Sequence, residues 1–270
     1  MGVSEGEAFL QAIFKRPEDV TARLVYADWL DEHDHPGGEL IRLRQQLVRP
    51  DLPGTKRSTL AAREREVLAK CDRDWLVQLE RADWKLRYIQ VRPADEGAAQ
   101  WAKRRKGLWS APAQKAMSRA LAAFEEEVGL PLPVSWKAFA HGCGPGYLCG
   151  DYIGIPRKGS GDVTRFQREW SGWRAATQAQ IDERYPYMDA DVRSWIRNSV
   201  RFGTGDNGDY LVWNTSRITD PVRAEYEVVL LYARGCDRLT TYESFEAMWN
   251  ANVEQRRSDD GDEAKPFYPD

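Results

Sequence analysis

Residues 200–214 read VRFGTGDNGDYLVWN, two apolar and aromatic runs separated by Gly203, Thr204, Gly205, Asp206, Asn207 and Gly208. Asn-Gly is a favoured pair for a type I′ turn, because both central positions need positive φ. The runs are therefore expected to fold back on each other as the strands of a hairpin. The same glycines formally satisfy G-x-G-x-x-G. That fingerprint holds a dinucleotide only when a helix follows and turns its N-terminus to the pyrophosphate. Here DYLVW follows, a strand pattern, so nucleotide binding is not expected. Asp206 and Asp209 lack the twelve-residue loop with a closing Glu that calcium binding needs. They are expected to close the turn through side-chain hydrogen bonds.

The segments around the hairpin fix the fold class. From Gln114 a helix places Met117, Leu121, Phe124 and Val128 on one face and ends at Gly129, where glycine suits a left-handed cap. A short helix with Trp136 and Phe139 follows, then the glycine-dense HGCGPGYLCGDYIGI. After the hairpin come EYEVVLLYARG, a strand, and TTYESFEAMWNANV, a closing helix. Helix, loop, strands and helix in that order read as α+β.

The N-terminal part is helical. Phe9, Leu10, Ile13 and Phe14 form one stripe. A second helix starting near Pro17 would bury Val20, Leu24, Ala27 and Leu30, with Tyr26 and Trp29 flanking that face. HDHPGG breaks it, and a third helix from about Gly38 carries Leu40, Leu43 and Leu47. Asp28, Asp31, Glu32, His33, Asp34, His35 and Glu39 crowd into this region. Two histidines two apart do not share a helix face, and Pro36-Gly37-Gly38 is a turn, so a metal site is not expected. Asp28 should instead pair with Arg23 or Arg42. Leu60, Val67, Leu68, Cys71, Trp75 and Leu79 predict one long amphipathic helix over 58–79. The alternation of Trp84, Leu86 and Tyr88 predicts a strand ended by Pro93. The chain thus divides into a helical module (1–50), a helical connector with a strand (51–112), an α+β domain (113–254) and a flexible acidic tail (255–270).

A net charge of -3 gives no reason to expect nucleic-acid binding; KRRK at 103–106 is read as a solvated face. No basic leader with an apolar stretch and no span of eighteen apolar residues stands out, so a cytoplasmic protein without a membrane segment is expected. Four cysteines without a C-x-x-C pair and three histidines argue against structural zinc and for buried, reduced thiols. No cofactor is implied. There is no G-x-S-x-G elbow, and His141 and Cys143 are expected to serve a helix end and the core, respectively. What remains is a recognition surface, with Trp170, Trp173 and Trp213 as aromatic anchors. Asp206, Asp209, Glu225 and Glu227 would complement a basic protein partner.

Two resemblances add to this. Residues 12–47 resemble the repeat-companion domain found at the N-termini of planctomycete and myxobacterial proteins. Arg23, Leu24, Tyr26, Ala27, Asp28, Trp29, Leu30, Glu39, Ile41, Arg42 and Leu43 carry the match, and His33-Asp34-His35-Pro36 departs from the usual Gly-Asp-Pro. That domain implies lineage rather than chemistry. Residues 114–253 resemble the SUKH superfamily: Gly129, Leu132-Pro133, Trp136, Phe139 and the glycines 142–146, then Val200, Phe202, Gly208, Asp209, Tyr210, Leu211 and Val212, then Val228, Val229 and Leu230, then Ser244, Phe245 and Met248. His141-Gly142-Cys143 stands where the family favours Asn-Gly-Gly, and 159–197 match poorly. The resemblance implies an antiparallel or mixed sheet flanked by helices and a non-enzymatic binder. Such a binder is commonly an immunity protein that neutralises a cognate polymorphic toxin, a nuclease or deaminase. A scaffold or regulatory adaptor is the second reading. A hydrolase using Cys143, or Asp206 with Asp209, is the third.

Overall fold

The structure, a computed structural model, describes residues 4–90, 107–144, 146–148, 151–153, 175–184, 186, 188–204, 209–232, 238–260 and 267–269. The chain forms two compact units, Met1–Leu86 and Arg87–Asp270, and the expected connector 51–112 is divided between them.

The first unit holds α1 (Glu5–Lys15), α2 (Val20–Glu32), α3 (Gly37–Leu47), α4 (Gly54–Leu68) and most of α5 (Arg73–Gln90). Ser4 and Asp19 cap the first two helices, accepting from the backbone N–H of Glu7 and Ala22. Leu10, Ile13 and Phe14 are buried as the periodicity predicts. The second helix is rotated from its expected orientation. Its buried side is Arg23, Tyr26, Ala27 and Leu30, while Val20 and Leu24 stay exposed. Polar partners cause the rotation. The Tyr26 hydroxyl accepts from Trp75 Nε1 at 2.9 Å, and Arg23 donates to Asp83 and to the Pro17 carbonyl.

The glycines of the α2–α3 turn are there for close approach. A Cβ on Gly37 would lie 2.4 Å from the Trp75 ring, and one on Gly38 2.7 Å from the Ala27 carbonyl oxygen. The two histidines serve the same corner. The His33 ring stacks on Trp29 and its Nδ1 lies 2.7 Å from the Trp29 carbonyl oxygen. His35 Nδ1 accepts from Gly37 N–H at 3.0 Å, with its ring against Trp75. Asp28 pairs with Arg42, not Arg23.

Two further sequence expectations fail in this unit. The single helix over 58–79 is two helices: α4 ends at Leu68, and Asp72 accepts from Trp75 N–H to start the next one. An aspartate that can cap a new N-terminus outcompetes continuation of the apolar stripe. The strand at Trp84 is instead the last turns of α5 through Gln90. Trp84 sits three residues beyond buried Arg81, at helical spacing, and the alternation with Leu86 and Tyr88 was coincidental.

In the second unit α6 (Ala111–Val128) ends at Gly129 with φ 69°, as expected, and α7 (Val134–Gly142) follows. Then come β1 (Gly146–Leu148), β2 (Asp151–Ile153), α8 (Gln178–Arg184), α9 (Ala190–Trp195) with a 3-10 turn, β3 (Ser199–Thr204), β4 (Tyr210–Asp220), β5 (Glu225–Leu231), β6 (Arg238–Tyr242), α10 (Phe245–Asp260) and β7 (Phe267–Pro269). The sheet runs β6-β5-β4-β3-β2-β1-β7, and every neighbouring pair is antiparallel rather than mixed. The fold is α+β. The hairpin strands pair as predicted, Val200 opposite Trp213; the turn itself, 205–208, lies outside the described residues.

Both faces of this sheet are covered. On one, Phe202 and Trp213 meet Trp136, Phe139, Phe245 and Trp249. On the other, Val212, Val229 and Leu231 pack against Ile181, Met188, Val192, Trp195 and Ile196. This explains why β3 and β5 are almost wholly buried instead of alternating. Within the span expected to be a flexible tail, α10 continues to Asp260 and Phe267–Pro269 pairs with β1, while 261–266 lie outside the described residues. A two-aromatic β-prone segment adds to an otherwise open strand edge.

Two outcomes test the first unit. Gly38→Ala should destabilise it by about 2 kcal/mol, since the added methyl meets backbone, whereas Gly54→Ala, with open space around it, should not; urea unfolding of the full chain measures both. Burial lowers the His35 pKa, against a smaller opposing effect from Asp72. The unfolded chain then takes up the proton first, so stability present above about pH 6.5 should fall as the pH drops below it. Thermal melts from pH 8 to 5 should show this loss, and His35→Asn should reduce it.

Candidate functional site

The residues expected to meet a partner fall into two groups. Trp170, Trp173 and Asp206 lie outside the described residues. Trp213, Asp209, Glu225 and Glu227 are described, and all four are buried in the second unit. None of these four presents a surface to a partner.

Their partners explain the burial. Trp213 stacks on Phe202 with centroids 4.5 Å apart and meets the edge of Trp136 at 5.1 Å, in the centre of the aromatic layer. Glu225 accepts from the backbone N–H of Ser135 at 2.9 Å and from its hydroxyl at 2.7 Å. Pro133, at the head of α7, offers no side-chain cap, so a carboxylate ninety residues away supplies one. The turn before β5 reinforces the joint, because the Arg223 carbonyl accepts from Val134 N–H. Glu227 accepts from Asn214 Nδ2 at 3.0 Å and lies 2.7 Å from Arg217 Nη1.

His141 and Cys143 are tied in similarly. His141 Nδ1 lies 2.9 Å from Gln114 Oε1, while Gln114 Nε2 donates to the carbonyls of His141 and Leu108, and Trp109 Nε1 donates to that of Gly142. This cluster holds the end of α7 to the start of α6. Cys143 is fully buried, as is expected of a packed thiol. Burial also pushes the Cys71 thiol up to about 11, which keeps it protonated and unreactive. Cys149 and Cys236 lie outside the described residues.

Among the described residues, no group of three His, Cys, Asp or Glu side chains is placed to hold a metal, and no helix is long and apolar enough to cross a membrane.

The sequence reading missed a surface on α2. Val20 and Val25 are each 49% exposed and Leu24 39%, on adjoining turns of one helix. The next turns on that side carry Asp28, Asp31 and Glu32. Arg42 bridges Asp28 and Asp31, at 2.5 Å from each, and those carboxylates raise its pKa. The result is an apolar patch running into an acidic one on a single rigid element. Its signal in the sequence was an apolar stripe wider than one buried face needs: Val20, Leu24, Val25, Tyr26, Ala27 and Leu30 cannot all point inward.

Compared with known proteins, the chain matches no family model, no curated protein and no solved structure.

Glu225 is the most consequential polar group of the second unit. Replacing it with Ala leaves the Ser135 N–H and hydroxyl buried without their acceptor, and should destabilise the unit by about 3 kcal/mol. Guanidinium unfolding followed by tryptophan fluorescence measures it. Glu225→Gln, which keeps one acceptor oxygen, should lose less.

Proposed function

We propose that this chain is a non-enzymatic protein-binding module that acts as an immunity protein, neutralising a cognate toxin by covering its active face. The α2 surface carries the reading. Valine and leucine exposed side by side on a rigid helix supply apolar contact area at small entropic cost, and the acids beside them suit a basic partner. Nuclease and deaminase toxins, which act on nucleic acid, fit that description. The SUKH-like pattern of residues 114–253 supports the immunity role, and the α+β fold is compatible with it.

The second reading is a scaffold or regulatory adaptor. One observation favours it: the patch lies on the first compact unit, not on the SUKH-like second one. An adaptor whose helical unit engages partners on its own account would be built this way.

Co-expression with each toxin-like gene encoded beside this one tests the proposal. Protection of the host together with a stable complex is the expected result; neither, with every candidate, would overturn it. In a complex that does form, Leu24→Asp should weaken binding at least tenfold, about 1.4 kcal/mol, while leaving the melting temperature of the free protein nearly unchanged. A complex insensitive to that substitution would move the interface elsewhere.

A further inference from the structure

Three cations are buried in the first unit where α1, α2 and α5 meet: Arg23, Arg81 and Lys85, at 7%, 3% and 7% exposure. Two of them have visible compensation. Arg23 donates to Asp83 Oδ1 at 2.6 Å and to the Pro17 carbonyl at 3.2 Å. Lys85 Nζ donates to the carbonyls of Phe14 and Lys15, at 2.7 and 3.3 Å, and so neutralises the negative end of α1. Arg81 is different. Among the described residues it has no hydrogen-bond or ion-pair partner; its Nε is sealed from solvent and unsatisfied, and its guanidinium carbon stands 4.7 Å from the centre of the Phe14 ring.

A guanidinium carries five N–H donors, and burying one without an acceptor is strongly unfavourable. The ring face offsets only part of that cost. Lys85 lies one helical turn further along α5, with its ammonium 4.8 Å from the centre of the same ring. Positive charge is thus concentrated around one aromatic side chain. The acid with a distinct influence on it is Glu7 on α1, an exposed residue that acts on Arg81 through space, with no hydrogen bond or ion pair between them.

We propose that Arg81, with Lys85 beside it and Phe14 as its floor, forms an oxyanion-binding subsite that takes one carboxylate or phosphate group on its terminal guanidinium nitrogens. The planar fork of arginine accepts either group with two parallel hydrogen bonds. Burial brings the guanidinium pKa down to about 10, against a smaller opposing effect from Glu7. The subsite is independent of the α2 surface, so its failure leaves the protein-binding reading untouched.

Thermal unfolding and isothermal titration of the full chain test it, with inorganic phosphate, acetate and a short Asp/Glu peptide as probes, at ionic strength matched with sodium chloride. Saturable binding is expected for at least one probe, with a melting temperature that rises with its concentration. Binding of phosphate or acetate as tight as that of the peptide assigns a free anion; peptide binding tenfold tighter assigns a protein-borne carboxylate. Arg81→Met, which keeps the apolar stem, should abolish the response, and Arg81→Lys, which loses the fork, should weaken it at least fivefold if the Met variant does not fold. Glu7→Gln should leave binding intact or strengthen it. Absence of saturable binding by all three probes, an equal response in the Arg81 variants, or a Glu7→Gln variant that loses as much stability as Arg81→Met gains would each overturn the proposal, the last by making Glu7 the native counter-ion.

Discussion

The sheet of the second unit is buried on both faces, and this constraint governs the rest of that unit. Layers of helix on each side leave no solvent for a polar group on β3, on the first half of β4 or on β5, so each one present there must find a protein partner. Glu225, Glu227, Asn214 and Ser135 meet the requirement by pairing with one another or with helix ends. The buried tryptophans meet it less completely: the indole N–H groups of Trp136 and Trp213 in the aromatic layer, and of Trp195 on the other face, have no partner among the described residues. Each unpaired N–H costs about 1–3 kcal/mol. A buried tryptophan removes roughly 200 Å² of surface from water, worth about 5 kcal/mol, so the packing outweighs the omission. The edge-on contact of Trp136 with Trp213 softens it further.

The first unit solves a different problem. Five helices of modest length must pack closely, and glycine at 37 and 38 lets the α2–α3 corner approach the Trp75 ring and the α2 backbone. Polar residues then set the angles. Tyr26 with Trp75, Arg23 with Asp83, Arg44 with Glu64 and Glu80, and Lys85 with the end of α1 each link elements distant in sequence. Directional bonds of this kind select one rotation of a helix where apolar contact alone would accept several.

That contrast explains what could be read from the sequence. The stripe of Met117, Leu121, Phe124 and Val128, the glycine cap at 129 and the hairpin flanks were legible because each rests on local periodicity or local backbone preference. The rotation of α2, the break before Asp72 and the helical state of Trp84 were not, because long-range partners decide them. The same holds for the candidate residues. Acids in the run EYEVV look like surface groups until Ser135 and Asn214 come to meet them. A charged residue inside an otherwise apolar strand was itself the available signal, since a doubly covered strand tolerates a carboxylate only with a dedicated donor.

Function follows from where the polar groups are already committed. Glu225 and His141 hold helices to the sheet or to one another, Glu227 ties β5 to β4, and moving any of them into chemistry would loosen the unit that positions it. The rotation of α2 has the opposite consequence. By turning Arg23 and Tyr26 inward to their bonds, it turns Val20, Leu24 and Val25 outward. Single exposed aliphatics are ordinary on protein surfaces, but three on adjoining turns of one helix form a continuous patch, and such patches carry an aggregation risk. A chain with 30% charged residues has ample means to make that face polar. An apolar face next to carboxylates that Arg42 holds in place is what the proposed docking surface requires.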